Sequence, residues 1–420
     1  MIPSWLYISQ TAGTSGTTVI TLSAGTNSLS NYIMDSFEVE NNSNLTETVT
    51  VIQRASGDCD YSKCYFSIEC LSKGHIYWSN QYIQRDFYYR KNNGNWIQGY
   101  KSTAFYTFNV EKGDILEFKS TMEPVLVAGA ISNEIYVLDS DILYKAKGNI
   151  LSLILGDNFL DNVNYPSYYY AYYDFFAGSS GLIDASDLIF PSKSPSNYTG
   201  MFKECLKLKK APDLPATEVI ADNYYAMFMN CLELEKAPAL PATTLAYRCY
   251  YYMFAGCTSL TNVPDLPATT LAPMCYAYMY YGCTGLYTPS KIQARTLASG
   301  CCTYMFAECT NINTAYTIYA STLESTCYMG MYYNCKNLTQ APILPANNLV
   351  DGCYNYMFYG CSSLNYINCR IRNQEQINYG TGLSNWVNGV ASTGTFVKPS
   401  GITWPTGNNG VPNNWTIEEG

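Results

Sequence analysis

The chain has 420 residues, 47% of them hydrophobic and only 14% charged, and carries a net charge of -9. Its length exceeds what one ordinary core requires, so two or three domains are expected, and its apolar content argues against disorder. The acidic balance argues against nucleic acid, which needs clustered cations, and the densest basic stretch, Lys203 to Lys210, is broken by Glu204.

The single histidine, His75, leaves little room for Ser-His, Cys-His or multi-histidine metal chemistry, and it reads as an ordinary surface or packing residue. The opening Met1-Ile2-Pro3-Ser4-Trp5 has neither a basic nor an apolar signal region. No apolar run reaches the ~18 residues a membrane span needs, so no membrane insertion is expected. Seventeen cysteines without an export signal are expected to be thiols rather than a disulfide framework.

Taken in order, residues 1-56 alternate as four strands, Ser4 to Ser9, Thr17 to Ser23, Met34 to Glu40 and Thr46 to Arg54. Residues 57-147 continue in the same manner. Tyr82 to Arg90 leads into Asn92-Asn93-Gly94-Asn95, a hairpin signal, and is followed by Phe105 to Val110 and Ile115 to Ser120. Two small β-sandwich modules are predicted. Cys59, Cys64 and Cys70 have no metal-site spacing. The apolar run Asn149 to Leu155 is expected to start the next domain and to cover its open end.

From there a pair of residues recurs every 26 positions: Phe175-Phe176, Met201-Phe202, Met227-Phe228, Met253-Phe254, Met279-Tyr280, Met305-Phe306, Met331-Tyr332 and Met357-Phe358. A strict period between about 20 and 29 is the mark of a leucine-rich repeat, and it predicts a solenoid over 148-370 made of short parallel strands and short helical turns. The columns headed by Leu208, Leu214, Ala216 and Val219 repeat as apolar residues and read as core ladders. The turn around Cys-Tyr-x-x-Met-Phe is expected to be helical, closing at Asn230, Gly256, Gly282, Asn334 and Gly360. The segment Leu260 to Leu266 is expected to pair between rungs over two or three residues, limited by Pro264 and its counterparts.

Two cysteine columns, Cys205 to Cys361 and Cys249 to Cys353, read as small buried hydrophobes and not as a metal or redox array. Stacked rungs lie about 5 Å apart, so bridging between neighbours stays open. Of the 41 tyrosines, two columns stand out: Tyr198, Tyr224, Tyr250, Tyr276, Tyr328 and Tyr354, and Tyr252, Tyr278, Tyr304 and Tyr356. Flat faces with hydroxyls suit a platform for sugar rings, but packing between rungs is the simpler reading. The column that varies in chemistry, Asp213, Ala239, Asp265, Lys291, Thr317 and Ile343, is the candidate binding face. Residues 371-420, with Trp386, Trp404 and Trp415, are expected to form a C-terminal cap. Asp157, Asp161 and Asp174 are the nearest approach to paired carboxylates and read as cap and turn residues. No catalytic, cofactor-binding or metal residues are assigned, and no cofactor is expected.

The rung text Leu-x-x-x-Pro-x-Leu-Pro-Ala-Thr-x-Leu-x-x-x-Cys-Tyr-x-x-Met-Phe-x-Gly-Cys resembles BspA-like leucine-rich repeats, best at 227-275 and 338-364. It departs at 287-323, where Ile292-Gln293-Ala294-Arg295 and Ile318-Tyr319-Ala320-Ser321 replace Leu-Pro-Ala-Thr. Pro3 to Ser9, with Thr48 to Gln53, is similar to the second half of a BACON-type β-sandwich whose opening strands are missing here. Asn385 to Phe396, Trp404 to Gly407 and Gly410 to Pro412 look like the tail of BspA-like proteins from gut Bacteroidales and their crAss-like phages.

The resemblance implies a non-enzymatic virion protein, tail-associated or fibre-like, that recognises the host surface through the solenoid. Its implied partners are other virion tail proteins, at the N-terminal β modules, and a host-surface glycan or protein. A BspA-type bacterial surface or secreted adhesin and a purely structural tail component stay open, as does oligomer formation.

Overall fold

The computed structural model describes residues 6-11, 19-24, 33-40, 46-53, 63-79, 87-99, 106-120, 137-160, 172-192 and 197-420. Strands and turns dominate, helices are few, and the strands form several small sheets. The chain divides into two compact units, Met1–Tyr65 and Phe66–Gly420.

In the first unit, β1 (Leu6–Thr11) pairs antiparallel with β2 (Val19–Ala24), and β3 (Ile33–Glu40) pairs antiparallel with β4 (Thr46–Gln53). These are the four segments that the alternation of the sequence marks out.

The second unit opens with β5 (Phe66–Cys70), β6 (Gly74–Ser79), β7 (Phe87–Lys91), β8 (Ile97–Gly99), β9 (Tyr106–Val110), β10 (Ile115–Ser120), β11 (Val137–Ser140), β12 (Tyr144–Asn149) and β13 (Leu182–Ile189). One sheet has the order β13-β12-β5-β10-β7-β8 and a second has β11-β6-β9. Aromatic rings lock the two together: Trp78 of β6 stacks on Phe118 of β10 at 4.2 Å and 3°, and Phe108 of β9 meets Tyr89 of β7 at 4.9 Å. The predicted turn joins β7 to β8. Asn92 and Asn93 hold φ of 51° and 59°, and the Gly94 amide donates to the Lys91 carbonyl. Asparagine tolerates that conformation at little cost, which is why the hairpin is legible in the sequence.

The expected boundary at 147/148 falls inside β12. This strand pairs antiparallel with β5 and parallel with β13, so the β module and the first repeat share one sheet and one continuous core. A short helix, α1 (Ser152–Leu155), follows. Buried Ser152 accepts the Phe66 amide at 2.9 Å and donates to the Phe118 carbonyl at 3.2 Å, tying the apolar run to β5 and β10. Cys59 and Asp161 lie outside the described residues.

Beyond Asn197 the 26-residue units bond directly to one another. The amides of Tyr224, Ala226, Phe228 and Asn230 donate to the carbonyls of Cys249, Tyr251, Met253 and Ala255 in the next unit, at 2.7–2.9 Å. The intervening amides of Tyr225, Met227 and Met229 donate three residues back, closing turns at 3.1–3.2 Å. The expected helical turn around Cys-Tyr-x-x-Met-Phe is therefore not a helix. Every fourth residue has positive φ, as at Asp222, Ala226 and Asn230 or Arg248, Tyr252 and Gly256, and a right-handed helix cannot include such residues. The chain instead makes a run of consecutive turns whose alternate amides point at the neighbouring unit.

The paired residues occupy equivalent places in successive units. The methionines from Met201 to Met357 are fully buried. The rings beside them stack in order, Phe176 on Phe202 at 5.1 Å, Phe202 on Phe228 at 5.2 Å and Phe228 on Phe254 at 5.4 Å, continuing to Tyr332 on Phe358 at 6.1 Å. The columns of Leu208 and Ala216 are buried throughout.

Between the turn runs the units pair in parallel through isolated bridges, such as Lys236 with Asn262, Leu266 with Ile292 and Thr270 with Thr296. This is narrower than the expected two or three residues. Prolines at 264 and 267 have no amide to extend the pairing.

The period breaks after Cys369, yet bonding between units does not. Tyr354, Tyr356, Phe358 and Gly360 donate to Gly382, Ser384, Trp386 and Asn388, a step of 28 residues. β14 (Tyr366–Asn368), β15 (Thr395–Lys398) and β16 (Thr416–Glu419) then run parallel, and α2 (Gln374–Tyr379) starts at Asn373, whose side chain accepts the Gln376 amide. Trp386, Trp404 and Trp415 are buried there, with Trp386 against Phe358 at 6.1 Å.

Candidate functional site

All six members of the predicted face, Asp213, Ala239, Asp265, Lys291, Thr317 and Ile343, are exposed, and Ile343 is 53% so. Each precedes a buried aliphatic residue of the Leu214 column, which fixes its outward direction. The row offers two acids, a base, a hydroxyl and two apolar groups in sequence, with Arg295 lying 5.7 Å over the exposed Tyr319 beside it.

The two tyrosine columns separate. Tyr198, Tyr224, Tyr250, Tyr276, Tyr328 and Tyr354 are at most 2% exposed and pack between units, as Tyr224 on Tyr250 at 5.6 Å. Tyr252, Tyr278, Tyr304 and Tyr356 are half-buried and stand at φ of 55°, 56°, 49° and 58°. A bulky side chain in that region costs about 1–2 kcal/mol, and Gly200 and Gly330 hold the same position elsewhere without that cost. Stacking offsets part of the strain. Tyr252 lies on Tyr278 at 4.6 Å and Tyr278 on Tyr304 at 5.3 Å.

These rings belong to a larger strip that the sequence reading did not assemble. Tyr225 stacks on Tyr251 at 5.2 Å, and Tyr333 stacks on Tyr359 at 4.9 Å. The signal was present, because these tyrosines sit one residue before or three residues after the Tyr252 column or its equivalents. Most rings in the strip stack on a ring of the neighbouring unit. Tyr281 is different. Its column places Ala255 before it and Ala307 after it, the nearest ring among the described residues is Tyr278 at 6.1 Å and 50°, and it is 38% exposed.

Polar groups border the strip. Arg248 pairs with Asp222 at 3.0 Å and lies over Tyr225 and Tyr247 at 5.5 and 4.7 Å. Asn334 donates to Glu308 at 2.7 Å. Burial, helped by neighbouring phenols, pushes the hydroxyls of Tyr251 and Tyr304 up to about 12, so they stay protonated and can both donate and accept.

The cysteine columns lie in the core as free thiols. Those of Cys231, Cys257 and Cys283 each donate to a carbonyl of the preceding unit, Phe202, Phe228 and Phe254, at 3.0–3.1 Å. Burial pushes the Cys257 thiol up to about 12, which makes it a poor nucleophile and a poor ligand. Among the described residues no three of His, Cys, Asp and Glu converge as metal ligands do. His75 sits at the surface with Nδ1 2.6 Å from Asp141. Asp157 is bound by Lys119, while Asp174 lies in a turn where burial raises its carboxyl. No helix among the described residues is long and apolar enough to cross a membrane. No family description, curated protein or solved structure matches the chain.

Proposed function

We propose that this chain is a non-enzymatic recognition protein of the BspA-like leucine-rich-repeat type. In this reading the repeat units wind into a solenoid that displays rows of side chains to a host-surface glycan or protein. The N-terminal β modules, BACON-like in the first unit, attach it to other components of a phage tail. The observation that carries the reading is the bonding between units. The amide ladder passes from Phe176 to Trp386 without losing its place, so each exposed column repeats at a constant step along a continuous surface. The virion assignment draws on the resemblance of the chain's two ends.

The test is saturable binding of the labelled full-length chain to a panel of intact gut Bacteroidales cells, with and without capsule. Binding to some strains, competed by unlabelled chain, is expected. Absence of binding across the panel would count against recognition and leave a structural tail role.

A further inference from the structure

We propose that the open ring of Tyr281 is a carbohydrate subsite, taking one sugar ring of a neutral polysaccharide against its exposed face. The proposal rests on the recognition reading above and names the residue and ligand class at which it operates.

A sugar ring packs its C–H face on an aromatic ring and turns its hydroxyls to nearby donors and acceptors. That demands an aromatic face that is exposed, uncovered and held in place. Most tyrosines of the strip fail the second condition, because a ring from the next unit lies on them. Among the described residues no ring stacks on Tyr281, and Tyr278 only tilts towards it at 6.1 Å and 50°. Ala255 and Ala307 stand where stacking partners would be, and the side chain is 38% exposed. Its backbone is fixed on both sides, the Tyr281 amide donating to Tyr278 and the Gly256 amide donating to the Tyr281 carbonyl at 2.7 Å.

The surroundings supply the polar half of the site. The rings of Tyr304 and Tyr333 lie 5.8 Å apart, and burial, with neighbouring phenols including Tyr281, raises both hydroxyls, so both remain protonated. Glu308 is anchored by Asn334 and offers a fixed acceptor.

The charge pattern narrows the ligand. Glu308 and the net charge of -9 disfavour an acidic polysaccharide. A cationic headgroup would need several open ring faces around it, and here the neighbouring faces are already stacked.

The experiment is affinity electrophoresis of the full chain through gels containing xylan, mannan, laminarin or dextran, with polygalacturonate as the acidic contrast. At least one neutral polymer should retard the unaltered chain. Tyr281→Ala should weaken that retardation about tenfold or more, Tyr281→Trp should keep it, and Tyr379→Ala, an 83% exposed tyrosine on α2, should leave it unchanged. Circular dichroism of each variant checks the fold.

No retardation by any neutral polymer, or a Tyr281→Ala variant that runs like the unaltered chain, overturns the subsite. Stronger retardation by polygalacturonate than by every neutral polymer overturns the ligand class. If the chain still labels cells while no polymer retards it, the subsite fails and recognition stands. If it does neither, both fail.

Discussion

Tyr280 and Tyr332 are the two members of the stacked ring column from Phe176 to Phe358 that carry a hydroxyl, and each finds a partner in the core. Ser290 donates to the Tyr280 hydroxyl at 3.1 Å, and the Tyr316 amide donates to the Tyr332 hydroxyl at 3.3 Å. In other units the position of Ser290 and Tyr316 is Pro212, Pro238, Pro264 or Pro342, which has no amide to give. The departure of rungs 287–323 from the repeat text is therefore a compensated exchange, polar ring with polar partner. Ser290→Pro should strand the Tyr280 hydroxyl and cost about 1–3 kcal/mol. Adding Tyr280→Phe should recover most of that, and urea denaturation of the two variants measures it. Equal instability of the single and double variants would refute the pairing. The buried thiols and phenols predict a pH dependence as well. Burial raises Cys257 from 9 and Tyr304 from 10, each to about 12, so their contribution to stability is full below the unfolded values and is lost as pH rises through the folded ones. Melting temperature should fall steeply between about pH 9 and 12, and a flat profile there would contradict the burial argument.

At the scale of the turn run, the glycines with positive φ carry both conformation and clearance. Gly330 has φ of 60°, and a Cβ there would overlap the ring of Tyr304. Gly330→Ala should destabilise the chain by about 1–3 kcal/mol and disturb the tyrosine strip, read as a lowered denaturation midpoint together with a changed near-ultraviolet spectrum. A neutral substitution would show that the ring moves aside freely. The sequence marked the four strands of the first unit and, in the second, β7, β9 and β10, because alternation and Asn-Gly turns act locally. It misassigned this run because Gly or Asn at the end of a short segment is also how helices close. The difference lies in Arg248, Tyr252 and Met274, which take positive φ although nothing in their chemistry announces it. They are held there by bonds to the neighbouring unit. The candidate site was half legible for a related reason. The variable Asp213 column can be read from spacing alone, whereas the lack of a stacked ring on Tyr281 depends on which side chains stand in the units on either side.

Across the whole second unit, the ladder passes through Cys369 into residues that no longer keep the period. Residues 371–420 supply acceptors for Tyr354, Tyr356, Phe358 and Gly360 and bury Trp386 on Phe358. A chain ending at residue 370 should lose these partners, expose the last rings and aggregate. Size-exclusion chromatography and circular dichroism would check this, and a monomeric, fully folded truncation would argue that the tail is an accessory. Residue 148 lies within β12. β12 serves the β module on one side and the first repeat on the other, so a cut there divides a sheet.

Because alternate amides close a turn at home while the rest reach the next unit, the register of the stack is written into the backbone as much as into the leucines. Losing or gaining a single residue within a turn run would exchange the two sets, aiming the outward donors inward. Losing or gaining a complete 26-residue block would leave every donor matched. Within the turn runs the register therefore survives the gain or loss of whole units, and each added unit lengthens the exposed columns while leaving their spacing unaltered.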